Sequence, residues 1–457
     1  MNTENINLIK ELIIFTVIYS ISVFLSMSGL YFAAGLILIV SGILMYAYEV
    51  RLNGKLLSPS AVLNLSWVSC IGISLLKLSF LQTDWELKTY VCFYLFLVLF
   101  KLSYAFHKTK RDYSLRTERT GRLFTRKTYL YVITVLTALS YIAFLVEASV
   151  LRYVPLFTVD TPHAYSYFHV SGVHYFTVLC VLVPGLIVNY LIAFYREITT
   201  GEKVYAAFLF ALNLILPVLL VSRFQLVFAV FLAAISLVLN FSDRIKSLLK
   251  PKYVLLAVLS VAMLLAVYVF ITIERAHSVE YLNGIFEMKN PETPIWITQP
   301  YIYIANNFDN FNCMISEIGE HSFGLKQLFP VFALTGLKFL FPDLLSFPLF
   351  VTKEELTTVT ILYDAYYDFG IIGVIVFAIL LGILCKTVYT MAENVKGNLG
   401  PIVKLICAQL IGYIVLAFFT TWFSNPTTWF YLGICVAIIV AVMLFNRKRY
   451  GSGEPVR

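Results

Sequence analysis

Gln327-Leu-Phe-Pro-Val-Phe-Ala-Leu-Thr-Gly-Leu-Lys-Phe-Leu-Phe-Pro-Asp-Leu-Leu-Ser-Phe-Pro-Leu-Phe-Val351 is long and apolar enough to cross a bilayer, and its reading decides the topology of the rest of the chain. Pro330, Pro342 and Pro348 interrupt it, and Lys338 and Asp343 place charge inside it. Proline removes a backbone donor and a charge in hydrocarbon is costly, so an unbroken crossing is disfavoured. A crossing here would also put the basic tail Asn446-Arg-Lys-Arg449 on the side opposite to the other basic loops. The segment therefore reads as a re-entrant or interfacial helix pair within a long hydrophilic loop, residues 274–360. Long loops with helices of their own are usually functional.

The chain around this loop has 457 residues, 60% of them hydrophobic and only 13% charged. Soluble domains carry about 25% charged residues, so this is the composition of a membrane protein. Apolar runs at 11–27, 30–48, 61–80, 89–106, 128–149, 173–194, 204–221, 224–241, 253–273, 366–385, 402–422 and 428–446 predict transmembrane helices. The expected fold class is all-α: a single polytopic membrane domain over 1–457 with about twelve spans, the 274–360 loop being inserted between spans nine and ten. Only Ser222-Arg223 separates the seventh run from the eighth. Residues 1–10 are polar and lead into a full-length run, so the first helix is expected to remain in place.

Charge orients the helices. With the N-terminus inside, about 25 of the 34 lysines and arginines fall on or beside the cytoplasmic side, including the cluster at 108–127, the group at 244–252 and the C-terminal tail. Both termini are therefore expected in the cytoplasm, and the 274–360 loop outside. The net charge of +8 resolves into these short loops, which points to the lipid bilayer as partner and away from nucleic acid. Five of the six histidines, His163, His169, His174, His277 and His321, fall on or near the outer side. Six of the seven cysteines lie in apolar runs and none forms a CxxC pair, which argues against a disulfide framework or zinc site.

Arg223 is the sharpest single signal, a guanidinium held between Leu219-Leu220-Val221 and Phe224-Gln225-Leu226. Ionisable groups at such depth face a polar cavity or partner, or snorkel to lipid phosphate. Arg275 ends the ninth span in Ile273-Glu274-Arg275-Ala276-His277, and Arg152 follows the fifth. The planar fork of arginine suits bidentate binding of a diphosphate, and each of the three can equally be a helix-end anchor. Outer histidines, with His163 and His277 foremost, could take a proton from a sugar hydroxyl; none shows metal-ligand spacing. Tyr301-Ile-Tyr-Ile-Ala-Asn-Asn-Phe-Asp-Asn-Phe311 alternates rings with amides and an acid, so Tyr301, Asn307 and Asp309 are candidates to hold sugars or to line a structural helix entrance. Asp364 and Asp368 share one helix face at i, i+4, which calls for a cation partner, a shifted carboxyl or exposure. Gly370 and Gly373 would admit a neighbouring helix. P-loop, GxGxxG, GxSxG and DxD patterns are absent, so a nucleotide-bound sugar donor is not expected, nor any cofactor or metal.

In its architecture over nearly the whole chain, the sequence resembles the Wzy-type O-antigen polymerases, also called oligosaccharide repeat unit polymerases. Locally the resemblance lies in Val154-Pro-Leu-Phe157, Ser222-Arg223-Phe224, Asn306-Asn-Phe-Asp-Asn-Phe311 and Tyr366-Tyr-Asp-Phe-Gly-Ile-Ile-Gly373. It implies a metal-independent glycosyltransferase of the bacterial inner membrane that polymerises undecaprenyl-diphosphate-linked oligosaccharide repeats at the outer face, with a chain-length regulator protein as a candidate partner. It also implies working arginines in the outer loops, for which Arg152, Arg223 and Arg275 match by location. An O-antigen ligase shares this layout. A lipid-linked oligosaccharide transporter or flippase would show paired halves and intramembrane charges near the midplane, and the sequence presents neither.

Overall fold

The computed structural model describes residues 3–109, 124–158, 164–241, 279–395 and 397–451. Along the chain run α1 (Thr3–Met27), α2 (Tyr31–Asn53), α3 (Pro59–Leu75), α4 (Leu87–Phe106), α5 (Arg126–Leu151), α6 (His174–Val181) and α7 (Val183–Ala193). Then follow α8 (Thr200–Leu219), α9 (Arg223–Phe241), α10 (Val279–Phe286), α11 (Ile295–Glu317), α12 (Leu325–Thr335), α13 (Tyr363–Asn394), α14 (Gly400–Val415) and α15 (Pro426–Gly451). Among the described residues there is no named strand, only an isolated bridge between Ser79 and Met288. The protein is an all-α polytopic membrane protein.

Among the described residues, eight helices are long and apolar enough to cross a membrane (α1, α2, α4, α5, α8, α9, α13 and α15), and α6 with α7 makes a ninth if their 42° bend belongs to one span. The expected count of twelve is not confirmed among the described residues. The run at 61–80 forms the shorter α3, which starts at Pro59 and ends before Lys77, where φ is +51° and the chain turns. The run at 402–422 forms the 16-residue α14. The run at 253–273 lies outside the described residues. The bend between α6 and α7 falls where a 3-10 turn at Val178–Val181 meets Pro184, whose nitrogen cannot continue the helical ladder.

The chain divides into two compact units, one of Met1–Thr109, Ser278–Thr387 and Tyr413–Thr428, the other of Lys110–His277, Val388–Gly412 and Trp429–Arg457. In the first, α2 and α3 approach closely because glycines line both. A Cβ on Gly35 would lie 2.5 Å from the Gly72 carbonyl oxygen, and one on Gly72 would lie 2.6 Å from that of Gly35. Small residues are how membrane helices gain contact when water gives no hydrophobic drive between them. Trp67 fills the adjoining core against Phe93, Phe96 and Phe308. In the second unit, polar side chains link the helices. Asn213 donates to Thr137 at 2.8 Å, Asn189 to the Pro401 carbonyl at 3.0 Å, and Lys404 to Asn240 at 2.7 Å.

The decisive segment at 327–351 does not form a full span. It contributes most of α12, then single 3-10 turns at Leu337–Phe339 and Asp343–Leu345, so one helix and two turns replace the expected helix pair. Phe339 is 65% and Leu340 70% exposed, and Leu328 and Val331 are also exposed. Such a dense apolar surface belongs against lipid rather than water.

Candidate functional site

In the second unit, two of the quoted sequence motifs meet. The chain reverses between α8 and α9 through Leu220-Val221-Ser222, with Val221 donating to Val218 O at 2.9 Å and Ser222 to Pro217 O at 2.9 Å. Val221 has φ +53°, a left-handed backbone that a β-branched residue adopts only under strain of roughly 1–3 kcal/mol. Val221 and Leu226 are buried together, and Leu156 of the Val154-Pro-Leu-Phe157 segment packs on them with Leu214 and Val218. Arg223 opens α9 and is only 8% exposed. A cation at a helix N-terminus opposes the macrodipole, so this turn carries two locally unfavourable features at one point. Helix N-terminal N–H groups and a guanidinium are each groups that favour anions.

Arg152 lies just before Leu156. It caps α5 in the left-handed conformation, φ +65°, and its N–H donates to Ala148 O at 2.8 Å. A cation at a helix C-terminus is favourable, so Arg152 has a structural reason for its place besides any ligand. The Arg152 and Arg223 segments are thus brought together through Leu156. Arg275, His277 and His163 lie outside the described residues.

Five residues before Arg152, Glu147 is fully buried and collects the segment that leads into α6. It accepts hydrogen bonds from Val170 N at 2.9 Å and Thr177 Oγ1 at 2.6 Å, and its two oxygens lie 3.1 and 3.2 Å from His174 Nδ1. The His174 side chain keeps 22% exposure, and the His169 ring packs edge-on against it at 5.0 Å. Sequence reasoning grouped His174 with the outer histidines and passed over Glu147; a lone glutamate inside an apolar run was the available signal.

The remaining candidates lie in the first unit, where the protein's own groups engage them. Asp309 is fully buried. Its Oδ1 accepts from Lys77 Nζ at 2.9 Å and Trp85 Nε1 at 2.7 Å, and its Oδ2 from Gln82 Nε2 at 2.8 Å and Ser74 Oγ at 3.4 Å. Tyr301 joins the same network, donating to Gln82 Oε1 at 2.5 Å and accepting from Leu78 N at 2.9 Å. Burial pushes its hydroxyl well above the usual tyrosine range, so it remains a donor. Asn307 accepts from Thr358 Oγ1 at 2.5 Å, and Asn310 donates to the carbonyls of Leu356 and Thr358. The amide face of α11 thus staples the 352–358 segment, and its acid anchors the 74–85 segment.

Asp364 has a cation partner, and Asp368 is held by uncharged donors. Lys326 lies 3.5 Å from Asp364 Oδ1, and its ammonium sits over the Tyr367 ring at 4.4 Å. Asp368 accepts from Ser322 Oγ and from the backbone N–H groups of Lys326 at 3.1 Å and Gln327 at 2.9 Å. It therefore caps α12 from another helix. Phe369 and Gly370 leave helical geometry, Gly370 at φ +59°, and the opening turn of α13 folds back on its own helix. A Cβ on Gly373 would lie 1.9 Å from Ala365 O, so this glycine admits the chain's own preceding turn and not a neighbouring helix. Asp368→Ala is expected to cost about 1 kcal/mol of local stability, as loss of a cap does. Hydrogen exchange at the Lys326 and Gln327 amides should speed up; unchanged protection there would show that the cap is dispensable.

One cluster of buried charges is not announced by the sequence. Lys101, fully buried in α4, pairs with Glu11 of α1 and, at 3.2 Å, with Glu49 of α2. Asn64 of α3 donates to Glu11 at 3.1 Å and to Glu49 at 3.2 Å, and accepts from Lys101 at 3.0 Å. Charges are therefore buried among three apolar helices, with Glu49 four and Lys101 five residues before the ends of α2 and α4. The partners are far apart in sequence, so hydropathy does not reveal that they meet. No protein-family model, curated protein or solved structure matches the chain.

Proposed function

We propose that this chain polymerises undecaprenyl-diphosphate-linked oligosaccharide repeats by glycosyl transfer at the outer face of the bacterial inner membrane, with both termini cytoplasmic. The observation that carries the reading is the buried Arg223 at the strained reversal between α8 and α9, with the Val154-Pro-Leu-Phe157 segment packed on it. The donor sugar develops positive charge as the lipid diphosphate departs, and a fixed guanidinium with helix N–H groups stabilises the departing anion. Holding both lipid-linked chains in one groove turns a bimolecular encounter into a positioned reaction. The apolar 327–351 segment, with Phe339 and Leu340 exposed, lies in the outer leaflet. No metal takes part, and a chain-length regulator is the expected protein partner.

Deletion of the gene in its host, followed by gel analysis of surface polysaccharide, tests the reading. A polymerase leaves one repeat attached and removes the ladder, whereas a ligase removes all attached glycan. Orientation is checked separately by labelling single cysteines in intact cells. Glu292→Cys is expected to react and Arg119→Cys to be protected; the reverse pattern would invert the topology.

A second reading has one observation in its favour. The Lys101, Glu11 and Glu49 cluster is the kind of buried intramembrane charge used by transporters, which supports movement of a lipid-linked oligosaccharide as the alternative activity. Normal ladder formation by a Lys101→Met/Glu11→Gln/Glu49→Gln variant would remove that support.

A further inference from the structure

From the geometry we infer that His174, oriented by Glu147, is the base that takes the proton from the acceptor sugar hydroxyl. The inference rests on the polymerase reading and adds to it the group that activates the nucleophile. Glu147 is fully buried, and both of its oxygens lie within hydrogen-bond distance of His174 Nδ1. With Nδ1–H donated to the carboxylate, the lone pair of the neutral ring resides on Nε2. The ring is partly exposed while its carboxylate is not, so one edge is anchored and the group as a whole stays reachable.

Thr177 and the Val170 N–H hold the same carboxylate from two further directions, which fixes its position. That is the logic of a base oriented by a third group. An anchor for the 164–177 segment needs only a donor, and the Thr177 hydroxyl and Val170 N–H already supply two. An imidazole adds the ability to gain and lose a proton. The placement fits the arginines as well. Glu147 is five residues from Arg152 on α5, about 7.5 Å along the axis, and the segment after Arg152 packs on the Arg223 turn.

The step balances without a co-reactant. The acceptor oxygen forms its bond to the donor anomeric carbon while its proton passes to His174 Nε2. The bond from that carbon to the diphosphate oxygen breaks, and undecaprenyl diphosphate leaves with the electron pair. The imidazolium, held by the Glu147 carboxylate, then returns its proton to water. His174 is a catalytic residue in this scheme and Glu147 a positioning residue.

The test uses the full chain in lipid nanodiscs with a synthetic undecaprenyl-diphosphate-linked repeat, the rate of glycosidic bond formation being the readout. His174→Asn keeps a donor toward Glu147 and removes the basic nitrogen. It is expected to lower kcat by about 100-fold or more while KM stays within about twofold. His174→Gly is expected to regain at least about tenfold in rate with added imidazole, a rescue that a structural role would not give. Glu147→Gln should lower kcat by on the order of tenfold, and Glu147→Asp should recover part of it. An active wild type with His174→Asn near wild-type rate overturns the base assignment and leaves the polymerase reading standing. A folded His174→Gly variant that imidazole does not rescue overturns it too. A wild type that forms no glycosidic bond overturns the polymerase reading and the inference together.

Discussion

Arg223→Lys is expected to reduce chain extension by on the order of a hundredfold, with the amount of protein in the membrane unchanged. The guanidinium is buried at the first residue of α9, beside a backbone turn whose Val221 is strained. Lysine would keep the charge but replace a planar fork with one compact ammonium, so a bidentate grip on a diphosphate is lost. Losing a charge-assisted contact made mainly in the transition state costs about 3 kcal/mol, which is the hundredfold quoted. Arg223→Ala should behave the same way. Arg152→Lys should be much milder, because its backbone already accounts for its role as a helix cap and either cation suits a helix C-terminus. The measurement is the ladder from cells carrying each variant, beside the protein level in membranes. A full-length ladder from Arg223→Lys would reduce Arg223 to an interfacial anchor.

Asp309→Ala should be strongly destabilised and accumulate at a much reduced level in the membrane. Removing the carboxylate takes the acceptor of Trp85 and the counter-charge of Lys77, which keeps only the Thr83 carbonyl, and leaves Gln82 with the Ser74 carbonyl alone. Breaking a buried ion pair on one side costs about 3–5 kcal/mol, because the surviving charge is stranded. That is a large share of the stability of most proteins. The same physics predicts a partial rescue: Lys77→Met with Asp309→Leu removes both charges and should be more stable than Asp309→Ala alone. Thermal unfolding of the detergent-extracted proteins, followed by size-exclusion profile, reads both effects. Asp309→Ala melting with the wild type would mean that the network contributes little.

The apolar runs foretold the spans because each is a local property, the length of hydrocarbon that a helix must cover. Hence α1, α2, α4, α5, α8, α9, α13 and α15 appear where hydropathy places them. The breaks were legible in part. Pro330 and Lys338 argued against a crossing at 327–351, and the chain makes none there. What hydropathy cannot carry is pairing. Lys77 and Asp309 are 232 residues apart, and Lys101 meets Glu11 across 90. Nothing local to either partner announces the other. The amides of α11 illustrate the same limit. Their composition suggests sugar binding, but Asn310 and Asn307 spend their polar atoms on the 352–358 segment. Asp364 and Asp368 were read as calling for a cation, a shifted carboxyl or exposure; that Lys326 would answer Asp364 and the first amides of α12 would answer Asp368 requires the fold. Glu147 was overlooked since a single carboxylate in a span is hard to weigh until His174 and Thr177 are seen around it.

The most direct measurement is mass analysis of the products when the purified chain, in nanodiscs and with a metal chelator present, meets a synthetic undecaprenyl-diphosphate-linked repeat. The account predicts undecaprenyl diphosphate carrying two and more repeats, one free undecaprenyl diphosphate released for each bond formed, and no loss of rate with the chelator. Unchanged substrate, or substrate that has only exchanged leaflets, would contradict it.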